Sequence, residues 1–336
     1  MPSTLETSAL PYIDFHNHYY PPEYLDALGQ SSSLEVTEDD EGNPVVHYPG
    51  DYNIVVPGHR DIAFRDRVLA DEGVDRQVLT FTTPGVHQER PALSVAWARL
   101  VNDALAKIVQ TRGARFTALA TLPLNDPAAS VAELTRAVED LGLPGATLFS
   151  NVNGTPLADA RFEPLYRKAD ELEAVLFIHP HHPLSVEAMT EYWLMPLVGF
   201  LADTTLAAAH LVFAGVPERY PRITWVLGHL GGAIPYLAER LDRGHRAFAE
   251  CRKHIASPPS DYLKRFYYDT VNFDIEAIKL ALAFAGPDHI LAGSDYPHQI
   301  GSLRLMREAI DGLPIAEDQK EAIRSGNARR ILRLDG

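Results

Sequence analysis

The sequence predicts an α/β fold, a distorted (β/α)8 TIM barrel with an insertion after strand one. Three observations carry that expectation. Eight short apolar runs alternate with helical segments over 336 residues, which suits a closed barrel. No G-x-G-x-x-G or Walker sequence follows an early strand, as an open doubly wound sheet would want. Polar residues able to bind metal end several of the runs, where a barrel keeps its active site.

Strand one is Tyr12-Ile13-Asp14-Phe15-His16-Asn17-His18. Alternate side chains of an extended strand point the same way, so His16 and His18 project together, about 7 Å apart at Cα. Residues 21–60 are broken by Pro21-Pro22, Ser31-Ser32-Ser33, Glu38 to Gly42 and Pro57-Gly58. They read as irregular chain lying over the barrel mouth and carrying His47, His59 and Arg60. Ala63 to Asp71 has helical spacing, and Gln77 to Phe81 is strand two. Pro91 to Gln110 is a helix with Leu93, Trp97, Leu100, Val101, Leu105 and Ile108 on one side. Strand three is Phe116 to Leu122. Asp126 and Pro127 are the N-cap and first position of a helix that stops at Gly142.

Gly145 to Phe149 is strand four, and Ala160 to Leu172 the helix after it. Ala174 to Pro180 is strand five. Met189 to Leu211 reads as one or two buried helices. Strand six is Ile223 to His229, strand seven Phe266 to Thr270, and strand eight His289 to Asp295. Helices from Leu303 and Ala316 complete the chain. Nothing divides residues 1–336 into separate domains.

The formal charge is −15, from 45 acidic against 30 basic residues. An acidic chain repels phosphate backbones and anionic lipid, so the expected partner is a small molecule rather than nucleic acid or membrane. Met1 to Leu10 lacks the basic start and apolar middle of a signal peptide. The apolar stretch near Ile278 to Gly286, read as the longest, is too short to span a bilayer. The lone cysteine, Cys251, cannot form an intrachain disulfide, which suits a reducing cytosol.

Strand one ends in His16 and His18, strand five in His179, strand six in His229 and strand eight in Asp295. Three neutral imidazoles and a carboxylate suit one divalent ion, Zn2+ first and Mn2+, Fe2+ or Co2+ after it. Such an ion lowers the pKa of bound water to about 7. His229 is expected beside that water as general acid/base, with a fifth-ligand role as the alternative.

These segments resemble a known family. Ile13 to His18, Leu176 to Pro180, Gly228 to Tyr236 and Gly293 to Pro297 are similar to the amidohydrolase superfamily. The similarity is to the branch of aminocarboxymuconate-semialdehyde decarboxylase and the aromatic acid decarboxylases (amidohydrolase family 2). Tyr192-Trp193-Leu194, Leu197-Val198-Gly199 and Thr204-Thr205-Leu206 carry it too. The resemblance implies one metal ion held by His16, His18, His179 and Asp295, with His229 and Asp295 catalytic, and a homodimer. Strand four has no lysine near Phe149 or Ser150 for carbamylation, in agreement with one metal. The muconate enzyme's aromatic pocket residues are replaced here by His181, Pro196 and His298. Its strand-one-loop arginine has no aligned counterpart, Arg60 being the near candidate.

The expected activity is non-oxidative decarboxylation of a small hydroxylated aromatic or unsaturated carboxylic acid. Arg60, His181, Trp193 and His298 are the candidate substrate contacts, and Arg60, Arg246 and Arg252 the candidate carboxylate clamps. A hydrolase or hydratase acting on a lactone, an amide or a C–C bond is the rival. A barrel that only binds, without catalysis, is the remote one.

Overall fold

The computed structural model describes residues 11–48 and 51–334. The reading of Met1 to Leu10 falls outside them. Eight parallel strands occupy the places the apolar runs predict: β1 Ile13–Asp14, β2 Arg76–Leu79, β3 Phe116–Ala118, β4 Gly145–Phe149, β5 Val175–His179, β6 Thr224–Leu227, β7 Tyr267–Asp269 and β8 Ile290–Leu291. Beyond Leu119, β3 continues as Ala120–Thr121, and this second segment pairs with β4. Every other strand pairs with the next. The ring closes between β8 and β1. There Phe15 N donates to Ala292 O, Asp295 N to His16 O and His18 N to Tyr296 O, each at 2.8 Å. This is the (β/α)8 barrel that the alternation predicts.

Parallel strands covered by helices are buried on both faces, so they read as continuous apolar runs rather than alternating ones. Ile13, Phe15, Val78, Leu119, Val175, Phe177, Val226 and Leu291 form one packed cluster, joined by Ala328 and Leu332 of the C-terminal helix Asn327–Leu332. Leu79, Phe116, Leu148, Leu176, Ile178 and Leu227 belong to the larger cluster shared with the surrounding helices. At Gly145 a Cβ would lie 1.9 Å from the carbonyl oxygen of Val175, so β4 and β5 pair there only because the residue is glycine. The helix Pro127–Glu139 starts as predicted, with the Asp126 carboxylate accepting from Ala129 N at 3.0 Å.

Two expectations are corrected. The described residues between 21 and 60 include regular structure. After the helix Pro22–Ala27, strands Glu35–Glu38, Pro44–Tyr48 and Asp51–Ile54 make an antiparallel sheet, followed by the turn Pro57–Arg60. The polar run that reads as a breaker is the hairpin turn itself. The Asp39 carboxylate accepts from Glu41 N at 2.9 Å and Asn43 N at 2.8 Å, with Gly42 at φ 76°. Val45, Val46 and Tyr48 then become buried. The sheet is fastened to the loop after β2, where Asn53 Nδ2 donates to Thr83 O at 2.8 Å.

The second correction concerns residues 189–211. A continuous helical stretch runs through Met195–Gly199 and Phe200–Phe213. By length and composition this stretch, not Ile278 to Gly286, is apolar enough to cross a membrane. It is not a wholly buried element. Thr204, Ala207, Ala208, Leu211 and Val212 face the core, while Leu197, Val198 and Leu206 are exposed.

Candidate metal centre

His16, His18, His179 and Asp295 each offer a ligand atom, and these atoms all lie within 4.8 Å of one another. All four residues are buried. His18 Nε2 stands 2.8 Å from Asp295 Oδ1, and His16 Nε2 stands 3.4 Å from the same oxygen.

The backbone aims each of them. The carbonyl of His16 accepts from both Ser294 N, at 3.1 Å, and Asp295 N, at 2.8 Å. Two residues on one strand thus oppose one on the other, a local break in the pleat. Both Phe15 and His16 approach Phe177, with ring centroids 5.8 and 5.1 Å away. Beyond the break, Asn17 points away and accepts from Arg65 Nη1 at 2.7 Å. Arg65 also donates to Gln77 Oε1, Gly58 O and the carbonyl of His18, so a fully buried guanidinium secures the end of β1. On the β8 side, Ser294 Oγ donates to Asp14 Oδ2 at 2.6 Å. Asp295 itself is left-handed, at φ 58°, a conformation that costs energy outside glycine and occurs at functional sites.

Two of the imidazoles have a fixed tautomer. His16 Nδ1 meets Asp269 Oδ2 at 2.5 Å, and His179 Nδ1 meets the Pro180 carbonyl at 2.7 Å. A carbonyl and a carboxylate accept, so each Nδ1 carries the proton and each Nε2 holds a lone pair. Both Nε2 atoms are buried without a partner. A buried, unpartnered acceptor costs about 1–3 kcal/mol, and two of them facing one carboxylate fit a bound cation. Ligating histidines commonly donate their other nitrogen to a carboxylate or carbonyl in this way.

The electrostatics favour neutral His179 and His18 beside an ionised Asp295. Burial holds His179 and His18 well below the ordinary histidine range, reinforced by the neighbouring imidazoles. Burial also pulls His16 down, but the carboxylates of Asp269, Asp295 and Asp14 together outweigh it and leave His16 raised. Burial would raise Asp295, yet the rings of His16 and His229 hold it below its usual value.

His229 stands at the edge of this group. Its Nε2 lies 4.0 Å from Asp295 Oδ2, and its ring centroid 4.8 Å from that of His16. Burial pushes it down to about 4, and its Nδ1 has no partner. His229 and Leu230 are both left-handed. The Asp269 carboxylate holds that turn, accepting from His229 N at 3.1 Å and Leu230 N at 2.9 Å. One carboxylate therefore orients His16 and positions His229. Asp269 ends strand seven, so the same strand-end reasoning that found His179 and Asp295 would have found it.

The other candidates are scattered. His298 lies on His18, with centroids 4.3 Å apart, and His59 lies 5.1 Å from His298. His181 sits against Phe149 and His87. Trp193 is exposed and meets Tyr52 of the insertion. The Arg60 guanidinium donates to Asn43 Oδ1 and Val55 O. Arg60 lines a separate cavity of about 570 Å³ with Tyr19, Leu25 and Pro44. Arg246 pairs with Glu239, and Arg252 donates to the carbonyls of His245 and Arg246. None of these three arginines donates to a member of the His/Asp group in these contacts. His59, in the insertion expected over the barrel mouth, is buried here, whereas His87 and Gln88 carry no sequence signal because only the fold brings them to this rim.

Comparison with known proteins agrees with this picture. A family model described as amidohydrolase matches residues 13–334. The 2-amino-3-carboxymuconate-6-semialdehyde decarboxylase of Dictyostelium discoideum is 34% identical over 275 residues, covering 81% of this chain and 76% of the relative. A gamma-resorcylate decarboxylase from a Rhizobium species is 30% identical over 314 residues, covering 86% and 92%. The crystal structure of 5-carboxyvanillate decarboxylase from Sphingomonas paucimobilis superposes with a TM-score of 0.85 at 27% identity, over 96% of this chain and 99% of that one. With its strand-end histidines gathered at one rim of a parallel barrel, the chain belongs to the amidohydrolase family.

Proposed function

We infer that this protein is a metal-dependent, non-oxidative carboxy-lyase acting on a small hydroxylated aromatic acid. The observation that carries the reading is the pair of orphaned Nε2 atoms, on His16 and His179, converging with His18 on the Asp295 carboxylate. The similarity to decarboxylases of hydroxylated aromatic acids supports the choice of reaction.

In this reading His16, His18, His179 and Asp295 hold one divalent ion. Three imidazoles and a carboxylate favour Zn2+, with Mn2+ next. When bound, the ion supplies Lewis-acid polarisation of the substrate's carboxylate and adjacent oxygen. The protein does the rest. Asp269 and the Pro180 carbonyl keep His16 and His179 in the ligating tautomer. His229 moves the proton: its neutral imidazole takes the proton of the substrate's ring hydroxyl and delivers it to the ring carbon, where a C–H bond forms as the C–C bond to the carboxylate breaks and CO2 leaves. His298, which lies on His18, and His181, which lies against Phe149, contact the substrate, whereas the contacts of Arg60 and Trp193 lie elsewhere. A homodimer in the cytosol completes the proposal, consistent with the family resemblance and the single cysteine.

The test is incubation of metal-loaded protein with carboxyl-labelled hydroxybenzoates in oxygen-18 water. Labelled CO2 with no oxygen-18 in the organic product is expected. Oxygen-18 in that product, without CO2, would show the hydrolase or hydratase chemistry instead.

A further inference from the structure

We propose that His87, Gln88 and His181 form a neutral hydrogen-bonding subsite for a second hydroxyl on the substrate ring, away from the carboxylate. The proposal rests on the decarboxylase reading and names the substrate class more narrowly, as a dihydroxylated aromatic acid.

The subsite stands at the C-terminal rim of the barrel. His87 and Gln88 lie in the loop after β2, Phe149 ends β4, and His181 follows β5. Phe149 links the subsite to the metal centre, with its ring centroid 6.4 Å from His179, 5.2 Å from His181 and 4.9 Å from His87. The two subsite histidines meet edge to face at 5.0 Å. The approach is close: at Gly85, which is left-handed at φ 72°, a Cβ would lie 2.5 Å from the Phe149 ring and 2.8 Å from His87 Nδ1.

His87 is fully buried, yet neither of its nitrogens has a hydrogen-bond partner. His181 is 1% exposed, and its Nδ1 is unpartnered. Buried polar atoms are nearly always satisfied, so three unpartnered atoms on two rings 5.0 Å apart point to a place where another molecule bonds. Gln88 decides what that molecule offers. Its amide nitrogen stands 2.6 Å from His181 Nε2. With the amide donating, Nε2 accepts, and the free Nδ1 of His181 carries a proton. His87 has neither nitrogen committed and can donate from one and accept at the other. One fixed donor beside a ring that can accept matches a hydroxyl, which does both. Burial alone pushes His87 down to about 3, so this ring brings no charge to balance a buried carboxylate.

Discrimination tests this. The holoenzyme is assayed with salicylate and with dihydroxybenzoates carrying the second hydroxyl at each remaining ring position. The unsubstituted protein is expected to favour at least one dihydroxy acid over salicylate by roughly tenfold or more in kcat/KM, because a site built to bond a hydroxyl rejects the analogue lacking it. His87→Phe should collapse that ratio towards one, and His87→Gln should restore part of it. Gln88→Leu, which leaves both histidines in place, should reduce the ratio by less. A ratio that survives His87→Phe, or falls equally in all three variants, overturns the proposal.

A binding measurement separates this subsite from the chemistry. Calorimetric titration with phenol and with catechol, resorcinol and hydroquinone should show at least one diol binding more tightly than phenol, a preference that His87→Phe removes, whether or not CO2 is released. Equal binding of phenol and all three diols overturns the subsite even if decarboxylation is observed. Absence of CO2 release with the diol preference intact would instead overturn the decarboxylase reading and keep the hydroxyl site.

Discussion

Two kinds of buried histidine share one end of this barrel. His16 and His179 each have Nδ1 tied to the protein, one to Asp269 and one to the Pro180 carbonyl. His87 and His59 are as deeply buried, but neither has a partner for either nitrogen. The tied rings have one tautomer and one free lone pair, aimed at Asp295. The untied rings can donate or accept. The difference separates His16 and His179, whose remote nitrogen is tied, from His87 and His59, which can serve a bound organic molecule; His18 falls between them, its Nδ1 without a partner and its Nε2 2.8 Å from Asp295 Oδ1.

Breaking the tied group should have the largest effect. Asp295→Ala should abolish metal retention and activity together, read by elemental analysis and CO2 release on the same preparation. Retained metal would show that the carboxylate is not needed to hold it. His229→Ala should keep the metal and lose activity by about 10²–10⁴-fold, the usual contribution of a positioned acid/base. If that variant also loses its metal, His229 is a ligand and the fifth-ligand alternative is right.

Asp269→Asn sharpens the comparison by untying one ring. It keeps the shape but removes the carboxylate that accepts from His16 Nδ1 and from the amides of His229, Leu230 and Val271. Metal affinity should fall by about 10–100-fold, as for other partners of ligating histidines. Competition with a chromophoric chelator measures it, and unchanged affinity would remove Asp269 from the account.

The smallest effect concerns an untied ring. His87 has an ordinary value near 6.5 when unfolded and is pushed down to about 3 when folded. Between those values the unfolded chain binds a proton that the folded chain refuses. Stability is therefore lost as pH falls below about 6.5, by at most about 1.4 kcal/mol per pH unit from this group, and the loss levels off below its folded value. His87→Phe should be less acid-sensitive than the unsubstituted protein in urea unfolding at pH 7 and pH 5.5. Parallel losses in the two proteins would show that His87 is not buried neutral.

The sequence made the tied group legible because strand ends are local features. A His-x-His at the end of an apolar run, and a lone His or Asp at the end of three others, could be read without knowing the fold, and the four predicted ligands do converge. The strand-end rule extends to Asp269, but its place in the sequence does not show that it serves His16 Nδ1 rather than an ion. The untied rings were harder. His59 lies in the turn Pro57–Arg60 of the insertion and His87 in the loop after β2, and only barrel closure brings them beside His298 and His181. The break in the pleat at His16 was also invisible, because it depends on where two amides of residues 294 and 295 fall. The insertion was misread for the opposite reason. Its turn residues were recognised, but the strands they join are short, and Glu35–Glu38 is exposed throughout.

The central claim is that one divalent ion, held by His16, His18, His179 and Asp295, is required for release of CO2. Metal content and CO2 release should be measured on one preparation as isolated, after chelation, and after metal is added back. The account predicts one ion per chain, loss of CO2 release with the ion, and recovery on addition of a single equivalent. CO2 release that persists in fully chelated protein would contradict it.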